Sequence, residues 1–81
     1  VENHNKPKEL LAFGRVLREL RKENQMTQDQ LSLFSRVDRS YISELENGEK
    51  APSLLTIISL TKALHISLAA FFKRFEDEMK L

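Results

Sequence analysis

Residues 27–48 read TQDQLSLFSRVDRSYISELENG, and the order of polar and apolar residues in this run decides how the chain folds. Thr27 followed three residues later by Gln30 forms a capping box: the threonine hydroxyl accepts a backbone N–H, and the glutamine side chain reaches back to the start. A helix is therefore predicted from Gln28 to about Ser35, with Leu31 and Phe34 turned inward. A break follows. Val37 is apolar, Asp38 can cap, and Tyr41, Ile42 and Leu45 resume helical spacing, so a second short helix spans about Arg39 to Glu46. Asn47-Gly48 ends it, with Gly48 suited to the left-handed position beyond the last turn.

Upstream, Leu10, Phe13, Leu17 and Leu20 recur at three- and four-residue spacing, with Arg15, Arg18, Glu19 and Lys22 between them. That is an amphipathic helix from Glu9 to between Glu23 and Gln25, after which Met26 plugs inward. Residues 1–8 are polar, contain Pro7 and lack apolar periodicity. They are expected to be a flexible arm whose lysines, Lys6 and Lys8, are solvated, with residues 9–81 as the folded domain. Downstream, Ser53 caps a fourth helix whose buried set is Leu54, Ile57, Ile58, Leu60, Thr61 and Leu64. His65 ends that helix and Ile66 fills the junction. Ser67 caps a fifth helix carrying Leu68, Phe71, Phe72, Phe75 and Met79. Short helices joined by tight connections give an all-α fold, a compact five-helix bundle.

Composition narrows the function. At 81 residues the chain makes one small core and leaves little volume for a deep substrate cavity. Without cysteine it has no disulfide framework, thiolate metal site or thiol nucleophile. His4 and His65 have no companion ligand spacing, and no catalytic triad order, glycine-rich phosphate loop or zinc spacing stands out. No enzyme activity and no cofactor are expected. No apolar run approaches the roughly 18 residues that span a membrane, so no membrane partner and a cytoplasmic location are expected. A net charge of only +1 does not by itself announce nucleic acid, so that reading must rest on where the charges sit.

Two short helices across a tight turn can dock on DNA, the first bracing against the backbone and the second entering the major groove. Ile42 and Leu45 anchor the second helix inward, which leaves Arg39, Ser40, Ser43 and Glu44 to meet base edges. Arginine can donate two parallel hydrogen bonds to guanine O6 and N7, worth about 1–3 kcal/mol of discrimination. Glu44 can accept from cytosine N4, or orient Arg39 or Arg36 instead.

The stretch MTQDQLSLFSRVDRSYISELENGEKAPSLLTIISLTKALHISLAAFF resembles the Cro/C1-type (Xre-like) helix-turn-helix regulators of bacteria and phages. The Thr-Gln-x-x-Leu opening, the Tyr-Ile-Ser-x-Leu-Glu-Asn-Gly ending and the Pro-Ser-Leu-x-Thr-Ile entry occur in the family's order and spacing. The Asp-Arg-Ser-Tyr-Ile-Ser run also resembles the controller proteins of restriction–modification systems. The resemblance implies a lambda-repressor-like domain and assigns roles. Gln28 would hydrogen-bond a phosphate and brace the second helix. Arg39 and Ser40 would read bases, with Ser43 and Glu44 one turn on. Asn47 and the loop to Lys50 would grip phosphate, and Tyr41 would lie against the backbone or a thymine methyl. Thr27, Arg36 and Asp38 complete the expected contact set. Arg21 would meet Glu46 in an internal ion pair. Ser32 and Arg36 depart from the alanine and glycine frequent in the family, so Arg36 would carry strain in a left-handed turn. Leu33 would be an exposed apolar residue.

The expected function is thus sequence-specific binding of double-stranded DNA to regulate transcription. Phe71, Phe72, Phe75, Met79 and Leu81 form more apolar surface than a lone terminal helix needs. The core takes up Leu68, Phe71 and Phe72, and Phe75 and Met79 extend beyond it. This predicts a homodimer through the fifth helix and the end of the fourth, with Leu68, Phe72, Phe75 and Met79 at the interface. A dimer would read a pseudo-palindromic operator. Leu33 and Phe34 form a candidate contact for RNA polymerase or, equally, for a second copy of the chain. Two other classes stand beside this reading. A protein-interaction module, such as an antitoxin, would lack a basic face on the second short helix, and an enzyme would need a cleft of converging titratable groups.

Overall fold

The computed structural model describes residues 6–80. Its elements are α1 (Lys8–Glu23), α2 (Gln28–Ser35), α3 (Arg39–Glu46), α4 (Leu54–Ala63) and α5 (Leu68–Met79), and no strand occurs among the described residues. No single helix is long and apolar enough to cross a membrane.

The helix starts follow from local chemistry. Pro7 precedes α1 with φ −58°, and its carbonyl accepts from the Leu10 and Leu11 N–H groups. Proline suits this place because its missing N–H is not needed in the first turn. Lys8, expected in the arm, therefore lies in the first turn of α1. The Thr27 capping box is complete: the Gln30 N–H donates to Thr27 Oγ1 at 3.0 Å and the Thr27 N–H to Gln30 Oε1 at 2.9 Å. Ser53 and Ser67 accept from the Thr56 and Ala70 N–H groups. Asp38 departs from expectation. Its carboxylate caps no backbone N–H and instead accepts from the Ser40 hydroxyl.

Each helix sends a narrow stripe to one core: Phe13, Val16, Leu17 and Leu20 of α1, Leu31 of α2, Ile42 and Leu45 of α3, Leu60 and Ala63 of α4, Leu64 just beyond it, and Phe71 of α5. Met26, Val37 and Ile66 close the junctions. Two residues expected inside are outside. Phe34 is 62% exposed because the eight-residue α2 buries only the one stripe of Leu31 and Ser35. Leu54 is 63% exposed because it lies a turn before Ile57, where the packed stretch of α4 begins. Ile57 and Ile58 are half-buried.

Close approach of α1 to α3 depends on Gly14. A Cβ there would stand 2.5 Å from the carbonyl oxygens of both Leu45 and Glu46. The tight connections use left-handed residues: Gln25 (φ 58°), Arg36 (φ 63°), Gly48 (φ 73°) and an exposed His65 (φ 57°). The turn around Arg36 is held by two serines. Ser32 Oγ donates to the Val37 carbonyl at 2.6 Å, and Ser35 Oγ accepts from the Val37 N–H at 3.1 Å.

Helix α5 packs along α1. Phe71 meets Phe13 with ring centroids 5.2 Å apart. Phe72 and Phe75 are half-buried against the same core, and Met79 is half-buried, so the aromatic stripe is not the free face its spacing suggested. Exposed apolar surface lies instead on Leu54, Leu55 and Leu68, and on Leu33 and Phe34. Arg74 reaches Glu23 through two hydrogen bonds, 3.0 and 2.7 Å, and Arg15 reaches Glu78 at 2.6 Å, fastening the C-terminal half of α5 to α1.

Candidate nucleic-acid interface

Behind α3 lies one buried carboxylate that ties three elements together. Glu46 closes α3, and its side chain is fully buried. Arg21 of α1 donates from Nε to Oε2 at 2.7 Å and from Nη2 to Oε1 at 3.0 Å. Its remaining Nη1 donates to the Met26 carbonyl at 2.8 Å. Arg18 Nε and Gln28 Nε2 also reach Glu46 Oε1, at 3.3 and 3.1 Å. Burial alone would push the Glu46 carboxyl up. The hydrogen bonds from Arg21, Gln28 and Arg18, with the Arg21 charge, outweigh burial and hold it below its ordinary value. A two-toothed arginine–carboxylate contact fixes direction as well as distance, so α3 is set at a defined angle to α1. Gln28 sits at the first position of α2, and its amide is turned to Glu46, which braces the start of α2 on the end of α3.

On the outer side, Thr27, Arg36, Asp38, Arg39, Ser40, Asn47 and Lys50 are exposed, and Tyr41, Ser43 and Glu44 are half-buried. Arg39, Ser40, Ser43 and Glu44 fall on the part of α3 turned away from Ile42 and Leu45, which are wholly buried. The Tyr41 hydroxyl donates to the Ala51 carbonyl at 3.3 Å, which ties α3 to the loop that follows it. Asn47 is engaged twice: Arg18 Nη2 donates to its Oδ1 at 3.3 Å and Lys6 Nζ to its carbonyl at 2.9 Å. Lys6 also lies 3.8 Å from Glu49, so it holds the loop rather than extending into solvent. Arg39 does not meet Glu44. Its Nε lies 3.2 Å from Oδ1 of Asp29, on α2. Leu68 is 38% exposed, while Phe72, Phe75 and Met79 are half-buried, so the residues expected to meet a second copy do not form one open face.

Reading the residues in order missed Asp29, Arg18, Lys6, Ser32 and Gly14. Asp29 and Arg18 carry no distinguishing signal in the sequence, because charges on the polar face of an amphipathic helix are ordinarily solvated. For Gly14 a signal existed, a glycine inside a helical pattern, which is destabilising unless packing requires it.

The helix pair, its turn and the Glu46 brace define a helix-turn-helix domain. Residues 17–71 match the helix-turn-helix family, and the chain belongs to it. It is 33% identical over 69 residues to the control protein C.MunI of a Mycoplasma species, covering 84% of this chain and 93% of that protein. Among solved structures it resembles the restriction–modification controller protein C.AhdI from Aeromonas hydrophila, with 38% identity and a TM-score of 0.79 over 82% of this chain and all of that one. It also resembles the controller protein C.Esp1396I, solved as a tetramer with its natural 35 base-pair operator. That match has 28% identity and a TM-score of 0.87 and covers 94% of this chain and 100% of the other.

Proposed function

We propose that this chain is a sequence-specific transcriptional regulator of the restriction–modification controller type, which binds double-stranded DNA as a homodimer with α3 in the major groove. The reading is carried by one observation: a braced α2–α3 pair presents Arg39, Ser40, Ser43 and Glu44 outward on a fold similar to that of a controller protein solved with operator DNA. Arg39 and Ser40, at the start of α3, are the base readers. Ser43 and Glu44 follow one turn on. Thr27 and Gln28 at the start of α2 offer the helix N-terminus to a phosphate. Arg36, Asn47 and Lys50 border the same groove with two positive charges and an amide. Tyr41 and Asp38 act by shaping it, through Ala51 and Ser40 respectively.

Dimerisation is proposed through α5 and α4, with Leu54, Leu55 and Leu68 as the exposed apolar side chains available for it. A two-fold pair would place two recognition helices about 34–36 Å apart and require a pseudo-palindromic operator. A contact with RNA polymerase is proposed at Leu33 and Phe34, 74% and 62% exposed, beside a cleft of about 360 Å³ lined by Met26, Phe34, Lys62, Ala63 and His65.

Selection of binding sites from a random duplex library tests sequence preference, symmetry and half-site spacing together. A two-fold symmetric consensus is expected, with affinity falling steeply with salt as phosphates are neutralised. Absence of any enriched sequence, or binding indifferent to both salt and Arg39→Ala, overturns the reading. Light scattering after size exclusion should give a dimer at tens of micromolar, and a monomer there overturns the dimer.

A further inference from the structure

The geometry points to Asp29 as a positioning residue that sets how selectively Arg39 recognises guanine. This rests on the reading that α3 meets base edges. Asp29 is the second residue of α2 and Arg39 the first of α3, and the turn between them brings these two first turns together. Arg39 Nε lies 3.2 Å from Asp29 Oδ1, with side-chain exposures of 54% and 82%. An ion pair so open to water contributes little to stability. What it can control is where the guanidinium rests.

The nearest approach is at Nε, and neither terminal Nη group donates a hydrogen bond among the described residues. Those two groups are therefore available as the parallel donors that match guanine O6 and N7. A long side chain biased toward one resting place by a neighbouring charge loses less freedom when it meets the base, and that lowers the cost of a specific contact. The carboxylate has a second effect. It repels phosphate, so a guanidinium beside it is less readily captured by the backbone at a wrong site. Glu44 cannot substitute. It lies five residues from Arg39 on α3, about 140° around the axis at roughly 100° per residue.

Removing the Asp29 charge should thus separate two quantities that usually move together. Base discrimination should fall, while binding to unrelated DNA should stay level or rise. The test uses the full chain and duplexes chosen by wild-type site selection, with each guanine replaced in turn by 7-deazaguanine, which lacks N7. For wild type, one position per half-site should weaken binding by roughly 5- to 100-fold. In Arg39→Ala that penalty should vanish. In Asp29→Asn it should shrink by about two- to fivefold, with affinity for a scrambled duplex unchanged or increased, and Asp29→Glu should restore part of it. Asp29 is also the acidic residue in the first turn of α2, so Asp29→Asn should lower the circular dichroism melting temperature by less than about 8 °C; Asp29→Ser repeats the measurement if the loss is larger. Three outcomes overturn the proposal. If Asp29→Asn keeps the full penalty, or shifts all duplexes equally, Asp29 does not position Arg39, although Arg39 still reads guanine. If no guanine depends on Arg39, the reading of α3 fails first and this inference with it.

Discussion

Replacing Arg21 by alanine is the sharpest perturbation of the scaffold. It removes two hydrogen bonds, at 2.7 and 3.0 Å, from a carboxylate that has no contact with solvent, and it strips the Met26 carbonyl of its donor. Breaking a buried pair from one side costs about 3–5 kcal/mol, because the remaining charge is left uncompensated. Arg18 and Gln28 still reach Glu46, at 3.3 and 3.1 Å, so the lower end applies. At about 4–8 °C per kcal/mol for a domain of this size, about 3 kcal/mol lowers Tm by roughly 12–24 °C. Urea denaturation at neutral pH, with thermal melting alongside, measures it. The partner experiment is the double variant Arg21→Met with Glu46→Leu. It removes both charges and should recover all but about 1–1.5 kcal/mol, roughly the hydrogen bond lost at Met26. Acid provides a further check. Once Glu46 is protonated the pair is gone in wild type as well, so the cost of Arg21→Ala should shrink as pH falls. A cost below about 1 kcal/mol, or a double variant as damaged as the single one, would refute the reasoning. The second result would mean that packing, rather than an unpaired charge, is what the arginine supplies.

Glu46→Gln should flatten the acid side of the stability profile. Folding lowers the Glu46 pKa below 4.5, so the carboxylate contributes in full above that value and loses its contribution as pH falls through the folded-state value. The variant should therefore be less stable than wild type at pH 7 and approach it below pH 4, as urea midpoints across that range would record. Gly14→Ala should destabilise by about 1–3 kcal/mol, because its Cβ meets two backbone oxygens at 2.5 Å that cannot turn aside. Helix propensity alone predicts a gain of about 1 kcal/mol, so the sign of the change in urea midpoint decides between them. Arg36→Gly should stabilise by up to about 1 kcal/mol. Relief of the left-handed backbone at φ 63°, about 1–2 kcal/mol, exceeds the added freedom of the unfolded chain. A lower Tm would contradict it.

The local elements were legible in the sequence because their causes are local. The Thr27–Gln30 box, the Ser53 and Ser67 caps and the Gly48 stop each act within one turn of chain, and apolar spacing of three and four residues carries the rest. The ordered motif from Thr27 to Gly48 placed the chain in its family for the same reason. Where the sequence fell short, the deciding distance ran between elements. Phe34 and Leu54 match helical spacing, yet α2 buries only the stripe of Leu31 and Ser35, and Leu54 lies a turn before the packed stretch of α4. Phe75 reads as surplus apolar surface, yet it is half-buried against the core beside Phe72, which itself meets Phe71.

At the candidate interface the division is similar. The sequence determined that α3 carries Arg39, Ser40, Ser43 and Glu44 away from Ile42 and Leu45, since a helical period is enough to put them there. Only the tertiary structure decided which charges meet. Arg39 faces Asp29 rather than Glu44, Gln28 turns to Glu46, and Lys6 leaves the solvent to hold Asn47. Those partners are 10, 18 and 41 residues apart. Periodicity relates residues a turn or two apart within one helix, whereas these pairs are set by the close α1–α3 packing that Gly14 permits and by the serine-held turn at Arg36.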